Sequence, residues 1–133
     1  MVIQKEECEM KQEREKKVLW ISRHTLTDGQ LEDLERALRG PVRVLSWTGT
    51  VKDVGDLRPL VEQSDAVAAV LPMEKLAQLL SIAGERPVLQ AKGERVPTGR
   101  WAVSAEGTPE REFAFVHRGW QQILDIQIRT RPL

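Results

Sequence analysis

The sequence has no tyrosine, one cysteine and only two histidines in 133 residues. The lone thiol, Cys8, cannot close an internal disulfide and has no partner at a metal-ligand spacing, which fits a reducing compartment, the cytoplasm. No H-E-x-x-H, C-x-x-C or carboxylate cluster occurs, so neither a metal centre nor a bound cofactor is expected. The glycine signatures G-x-G-x-x-G and G-x-x-x-x-G-K-[ST] are also missing, which argues against dinucleotide redox chemistry and P-loop hydrolysis. No apolar run approaches the roughly 20 residues that span a bilayer, and the charged N-terminus lacks the apolar core of a signal peptide. A soluble chain without membrane contact is expected. Lysine plus arginine balance aspartate plus glutamate at 20 each, so no global basic field suits double-stranded DNA and any anion site must be local. Two phenylalanines and four tryptophans are too few aromatics for a base-stacking sheet that reads single-stranded RNA.

What is present is an alternation of apolar runs and amphipathic segments. Residues 1–17 are dense in both signs of charge and read as a charged arm or helix, leaving 18–133 as a single α/β domain. Val18 to Ser22 reads as a buried strand, followed by a helix over Asp28 to Arg39 with Leu31, Leu34, Ala37 and Leu38 on one face. Thr27 and Gln30 have the spacing of a capping box, and Gly40 is the expected left-handed stop. A strand over Val42 to Ser46 follows, then a short helix from Leu57 to Gln63 capped by Asp56. The run Asp65 to Leu71 has small apolar side chains on both faces and belongs in the middle of a parallel sheet. A helix over Met73 to Ala83 and a strand over Pro87 to Ala91 complete the alternation of a doubly wound or half-wound parallel sheet. Beyond it, Gly93 to Pro109 reads as an irregular excursion with a short strand at Trp101 to Val103, and Glu112 to His117 as an antiparallel edge strand. Gly119 to Leu124 reads as a helical turn and Ile126 to about Thr130 as a final strand, with a continuous C-terminal helix as the competing assignment.

In a parallel sheet the turns after successive strands open on one edge. That rim would hold Ser22, Arg23, His24 and Thr25, then Trp47, Thr48 and Thr50, then Lys92 and Arg95. Cations, hydroxyls and helix N-termini are what phosphate or ribose recognition requires. His24 beside Arg23 suits a proton shuttle, and equally a histidine that only hydrogen-bonds neighbouring backbone. Arg23 suits phosphate, Ser22 a ligand hydrogen bond or a turn role, and Thr27 a cap. Trp47 and Trp120 read as core or interface anchors, with adenine stacking as the alternative. His117 and Arg118 form a second basic pair, expected on the opposite edge of the sheet from His24.

His24, Leu26 and Thr27 form a His-x-Leu-Thr motif that opens a helix after a strand ending in a polar residue, with Gln30 at the capping position. Together with the strand D-A-V-A-A-V-L-P, the Leu-rich helix after it and the following Pro-Val strand, this resembles the small CRISPR-associated ring nucleases and sensor proteins of type III systems. The likeness covers about residues 18–92. Where that family carries serine directly before the histidine, this chain has Arg23, with Ser22 one place earlier. The resemblance implies a compact Rossmann-like homodimer that binds cyclic oligoadenylate. It also implies metal-independent cleavage, in which the ribose 2′-hydroxyl attacks the adjacent phosphorus and leaves a 2′,3′-cyclic phosphate. Arg23 and Lys92 would then hold the scissile phosphate, His24 would assist proton transfer, and Ser22 or Thr48 would orient a ribose. The readings beside it are a non-catalytic nucleotide-sensing regulatory protein of the same fold and an interaction protein whose basic rim is incidental.

Overall fold

Val18 to Ile21 are buried without interruption because this strand is covered on both faces, and the rest of the fold is arranged around it. The computed structural model describes residues 15–133, so all but the last three residues of the arm or helix expected over 1–17 lie outside them. Lys16 and Lys17 already belong to the first strand, β1 (Lys16–Ile21). It is followed by α1 (Asp28–Leu38), β2 (Val42–Trp47), a 3-10 turn (Val54–Leu57) leading into α2 (Arg58–Glu62), β3 (Ala66–Ala69), α3 (Met73–Ala83), β4 (Val88–Val103) and β5 (Pro109–Ile123). One sheet runs in the order β2-β1-β3-β4-β5. Its first four strands are parallel and β5 is antiparallel to β4, which gives an α/β fold with a mostly parallel sheet, flanking helices and an antiparallel extension. Among the described residues no helix is long and apolar enough to cross a membrane.

Strand alternation divides the core in two. Leu19, Ile21, Val67, Ala69 and Val88 pack with Leu57, Val61, Leu76 and Leu79 on the side of α2 and α3. Val18, Trp20, Ala66, Ala68 and Leu89 pack with Leu34 on the side of α1. The alanines of β3 matter on this second face. They leave room for Trp20 on one side and Trp120 of β5, opposite Ala91, on the other, so the two indoles meet edge to face at 5.8 Å. Trp120 Nε1 donates to the Gln30 carbonyl at 3.0 Å and ties β5 to the first turn of α1.

Several local expectations are corrected. The left-handed residue at the end of α1 is Arg39 (φ 61°), not Gly40. Because the helix stops at Leu38, Arg39 and Gly40 donate back to the Arg36 and Glu35 carbonyls, and a side chain occupies a conformation that costs about 1 kcal/mol. Asp53 rather than Asp56 makes the cap after β2, accepting the Gly55 N–H at 2.9 Å, because a 3-10 turn precedes the short helix. The stretch Gly93 to Pro109 is not an irregular excursion. β4 continues through it to Val103 and pairs with β5 as a long hairpin, the glycines serving a bulge at Gly99 (φ 81°) and a turn at Gly107 (φ 80°). Pro97 is tolerated because β3 stops at Ala69, so that among the described residues this part of β4 has β5 as its only neighbour in the sheet.

In place of the helical turn expected over Gly119 to Leu124, Gly119 to Ile123 is strand. Trp120 and Ile123 have helical spacing, yet they pack on opposite faces of the sheet, Trp120 towards α1 and Ile123 towards α3. Ile126 to Thr130 does not form a strand; Ile126 packs against the core without pairing.

The register of β4 and β5 shifts between Lys92, which pairs with Gly119, and Gly93, which pairs with His117. Arg118 is thus one residue more than the partner strand can match, and Gly119 takes φ 129°, a conformation that side chains rarely adopt. Residues three apart in a regular strand would face opposite ways. With the bulge, His117 and Trp120 both reach α1. Gly119→Ala has space for its Cβ, 3.6 Å from Asp33 Oδ2, but not the backbone. It is expected to lower stability by about 1–3 kcal/mol in urea unfolding, with no change in cooperativity.

Candidate functional site

The chain leaves β1 towards α1 on one face, whereas β3 leads to α3 on the other, so the connections after these neighbouring strands diverge. Such divergence opens a crevice at the carboxyl ends of the strands. Here the crevice is an open cleft of about 730 Å3. Trp20, Ala91 and Gly93 line its base, and the small size of the last two keeps it empty of side chains. One wall is the turn from β1 into α1, with Ser22, His24, Thr25 and Thr27. The other is the root of the β4–β5 hairpin, with Lys92, Phe115 and His117, while Val70 from the end of β3 lies between.

The first wall is fixed by its own hydrogen bonds. Ser22 is buried, its N–H donating to the Trp47 carbonyl at 3.1 Å and its Oγ accepting the His24 N–H at 3.1 Å. Trp20 Nε1 donates to the His24 carbonyl at 2.7 Å. The backbone of His24 is therefore held from two sides while its imidazole stands exposed on the cleft. The capping box is present as its spacing suggests: Gln30 N–H donates to Thr27 Oγ1 at 3.1 Å, and Thr27 N–H donates to Gln30 Oε1 at 3.0 Å. The N-terminus of α1 thus lies at the cleft with its dipole towards it.

The second wall is anchored through Asp33. Its carboxylate pairs with Arg36 and accepts from His117 Nε2 at 3.0 Å. The Arg36 guanidinium first, and His117 second, hold the Asp33 carboxyl below the usual aspartate range. An ionised carboxylate only accepts, so Nε2 carries the proton of this bond. His117 Nδ1 is buried and has no hydrogen-bond partner among the described residues. His117 also packs against Trp120, with ring centroids 5.9 Å apart. The expectation that His117 sits on the opposite edge from His24 is corrected. β5 runs past the end of β3, so its His117 lies beyond the sheet proper and beside the same cleft.

The structure separates the other rim residues. Ser22, His24, Thr25 and Lys92 share the cleft. Arg23 and Thr50 line a smaller cavity of about 180 Å3 on the other side of the end of β1, with Ser22 and Lys75. Arg23 Nη2 donates to Thr50 Oγ1 at 3.4 Å, and Lys75 donates to the Val51 carbonyl. Trp47 packs against the core, its indole N–H buried without a partner among the described residues, and Thr48 is exposed and lines neither cavity. Arg95 projects from the hairpin, its guanidinium 4.0 Å above the Phe113 ring. Sequence reasoning singled out His117 but missed its pairing with Asp33, because their meeting depends on the bulge at Arg118. The only signal was Gly119 directly after two bulky polar residues in an otherwise alternating run.

Among the described residues no three His, Cys, Asp or Glu side chains gather as metal ligands. Comparison with protein-family models, with characterised proteins and with solved structures gives no match.

The Asp33 contacts predict an acid dependence. A carboxyl whose folded pKa lies below its ordinary 3.8 adds stability above that value and loses it as pH falls through the lower, folded one. Asp33→Asn is therefore expected to be less stable than wild type at neutral pH. The two urea midpoints should converge as pH falls through and below the lowered, folded pKa, where both states of Asp33 approach full protonation. Parallel curves throughout the acid range would refute the assignment.

Proposed function

We propose that the chain is a homodimeric, CRISPR-associated ring nuclease of the cytoplasm, acting in antiviral defence, that binds cyclic oligoadenylate and opens it without metal to linear products with 2′,3′-cyclic phosphate ends. The observation that carries this reading is the meeting of His24, Thr25, Ser22 and Lys92 in one cleft at the carboxyl edge of the sheet, against the N-terminus of α1. Ring opening by an internal 2′-hydroxyl asks little of a protein beyond alignment, charge neutralisation and proton transfer. Lys92 neutralises the scissile phosphate, aided by the α1 dipole. His24, with its backbone fixed and its imidazole on the cleft, moves the proton. Ser22 and Thr25 orient the ribose. His117, anchored on Asp33, is a positioning residue that sets the far wall. Arg23 and Thr50, across the end of β1, take an adjoining phosphate. A two-fold symmetric ring suits a two-fold dimer.

The divergence of Arg23 and His24 into different cavities favours a second reading, a non-catalytic nucleotide-sensing protein of the same fold. Incubating the protein with cyclic tetra- and hexa-adenylate in EDTA separates the two. Cleavage should yield linear products with cyclic phosphate ends, with His24→Ala lowering kcat by about 10²-fold or more and Lys92→Ala lowering kcat/KM by roughly 10²-fold. Binding with no product from the wild type would leave the sensor reading, and neither binding nor product would end both.

A further inference from the structure

The hairpin formed by the outer parts of β4 and β5 extends roughly 30 Å beyond the sheet. Its two faces differ in chemistry. Strand alternation puts Arg111, Phe113, Phe115 and His117 of β5 on one face, joined by Arg95 and Trp101 from β4. The contacts agree with this, because Arg95 lies over the Phe113 ring at 4.0 Å and Arg111 over the Trp101 ring at 5.8 Å. The opposite face takes Glu110, Glu112 and Val116 from β5 and Glu94 from β4. Arg118, the bulged residue, pairs with Glu94 at 2.8 Å. A chain with no net charge has thus sorted its arm into a cationic, aromatic side and an acidic side.

Trp101 is 66% exposed and Phe115 81% exposed, large values for aromatic side chains. The small number of aromatics had argued against a stacking surface, but number does not determine placement: both phenylalanines and one tryptophan lie together here. We propose that this face of the arm is a binding platform for single-stranded polynucleotide, with bases stacked on Trp101 and Phe115 and phosphates met by Arg95 and Arg111. The inference goes beyond ring cleavage and does not rest on it. Aromatic side chains stack on any unpaired base, and guanidinium groups both stack on bases and neutralise phosphate. A duplex hides its base faces, so a single strand is the form this surface fits. A second copy of the chain fits less well. A two-fold contact would set this cationic face against its own image, where like charges meet.

The test is fluorescence anisotropy of the full chain with a labelled oligoadenylate of about 12 nucleotides, beside oligouridylate and an RNA duplex. Single strands should bind, the duplex at least about 10-fold more weakly, and affinity should fall as salt rises from about 50 to 200 mM. Trp101→Ala and Phe115→Ala should each weaken binding by about 10-fold or more, and Arg95→Glu with Arg111→Glu should abolish it. Glu110→Gln, on the other face, should not weaken it. Circular dichroism checks that each variant is folded, and quenching of Trp fluorescence on adding strand, lost in Trp101→Ala, reports the contact in unaltered protein. No binding of single strands overturns the proposal, as does equal binding of duplex or indifference to Trp101→Ala and Phe115→Ala. It is also overturned if these variants dissociate an oligomer in sedimentation while strand affinity stays the same. Ring cleavage measured on the same preparations keeps the two readings apart. Cleavage without strand binding defeats only the platform, and strand binding without cleavage defeats only the nuclease.

Discussion

The edge-to-face contact of Trp20 and Trp120 ties the first strand to the last across the face of the sheet that α1 covers. Trp20 belongs to β1 and Trp120 to β5, with two strands between them. They can meet because β3 and β4 present Ala66, Ala68 and Ala91 beneath them. Such a pair adds about 0.5–1.5 kcal/mol beyond the area it buries. Its larger effect is positional. Both indole N–H groups donate to backbone at the two ends of the turn into α1, Trp20 to His24 and Trp120 to Gln30. The same aromatic contact that closes the core therefore fixes the wall of the cleft.

That arrangement explains why the cleft lies on the α1 side of the sheet and not over α3. On the α3 side Leu19, Ile21, Val67 and Val88 fill the space with branched side chains. On the α1 side the alanines and Gly93 leave volume once the indoles have packed, and α1 covers only part of the face. The cationic side chains divide accordingly, Lys92 to one side of β1 and Arg23 to the other. Where an anion is concerned, the end of β1 acts as a partition between two cationic compartments that share Ser22.

The central fold was legible because it is written in local patterns. The buried run of β1, the small-residue run around β3 and the leucine periodicity of α3 each point to one structure, and Met73–Ala83 appears at the length its spacing implies. The capping box of α1 was legible for the same reason. Of the last third, the antiparallel strand over Glu112 to His117 and the strand at Trp101 to Val103 were legible. The long hairpin that joins them was not, because glycine and proline there serve bulges and turns, whereas by composition they mark loops. The helical spacing of Trp120 and Ile123 was equally misleading, since two faces of one strand can carry the same spacing. Of the site, the β1 turn was visible from its polar residues after an apolar run. Of the far wall only Lys92 was visible, because a single extra residue in β5 decides whether His117 faces α1 or turns away from it.

The long hairpin also exposes backbone. Beyond Ala69 the outer part of β4 has no neighbour on one side among the described residues, and an exposed strand edge is a template for pairing with any other extended chain. Pro97 puts a gap in that template because it has no N–H to offer. The register shift between Pro97 and Trp101 breaks its rhythm again, and Thr98 Oγ1 caps the Arg100 N–H at 3.2 Å within the break. Charged side chains at Glu94 and Arg95 discourage the first stretch from docking on an apolar strand. The residues that made this segment look structureless are those that let a bare strand edge stand in water without joining another sheet.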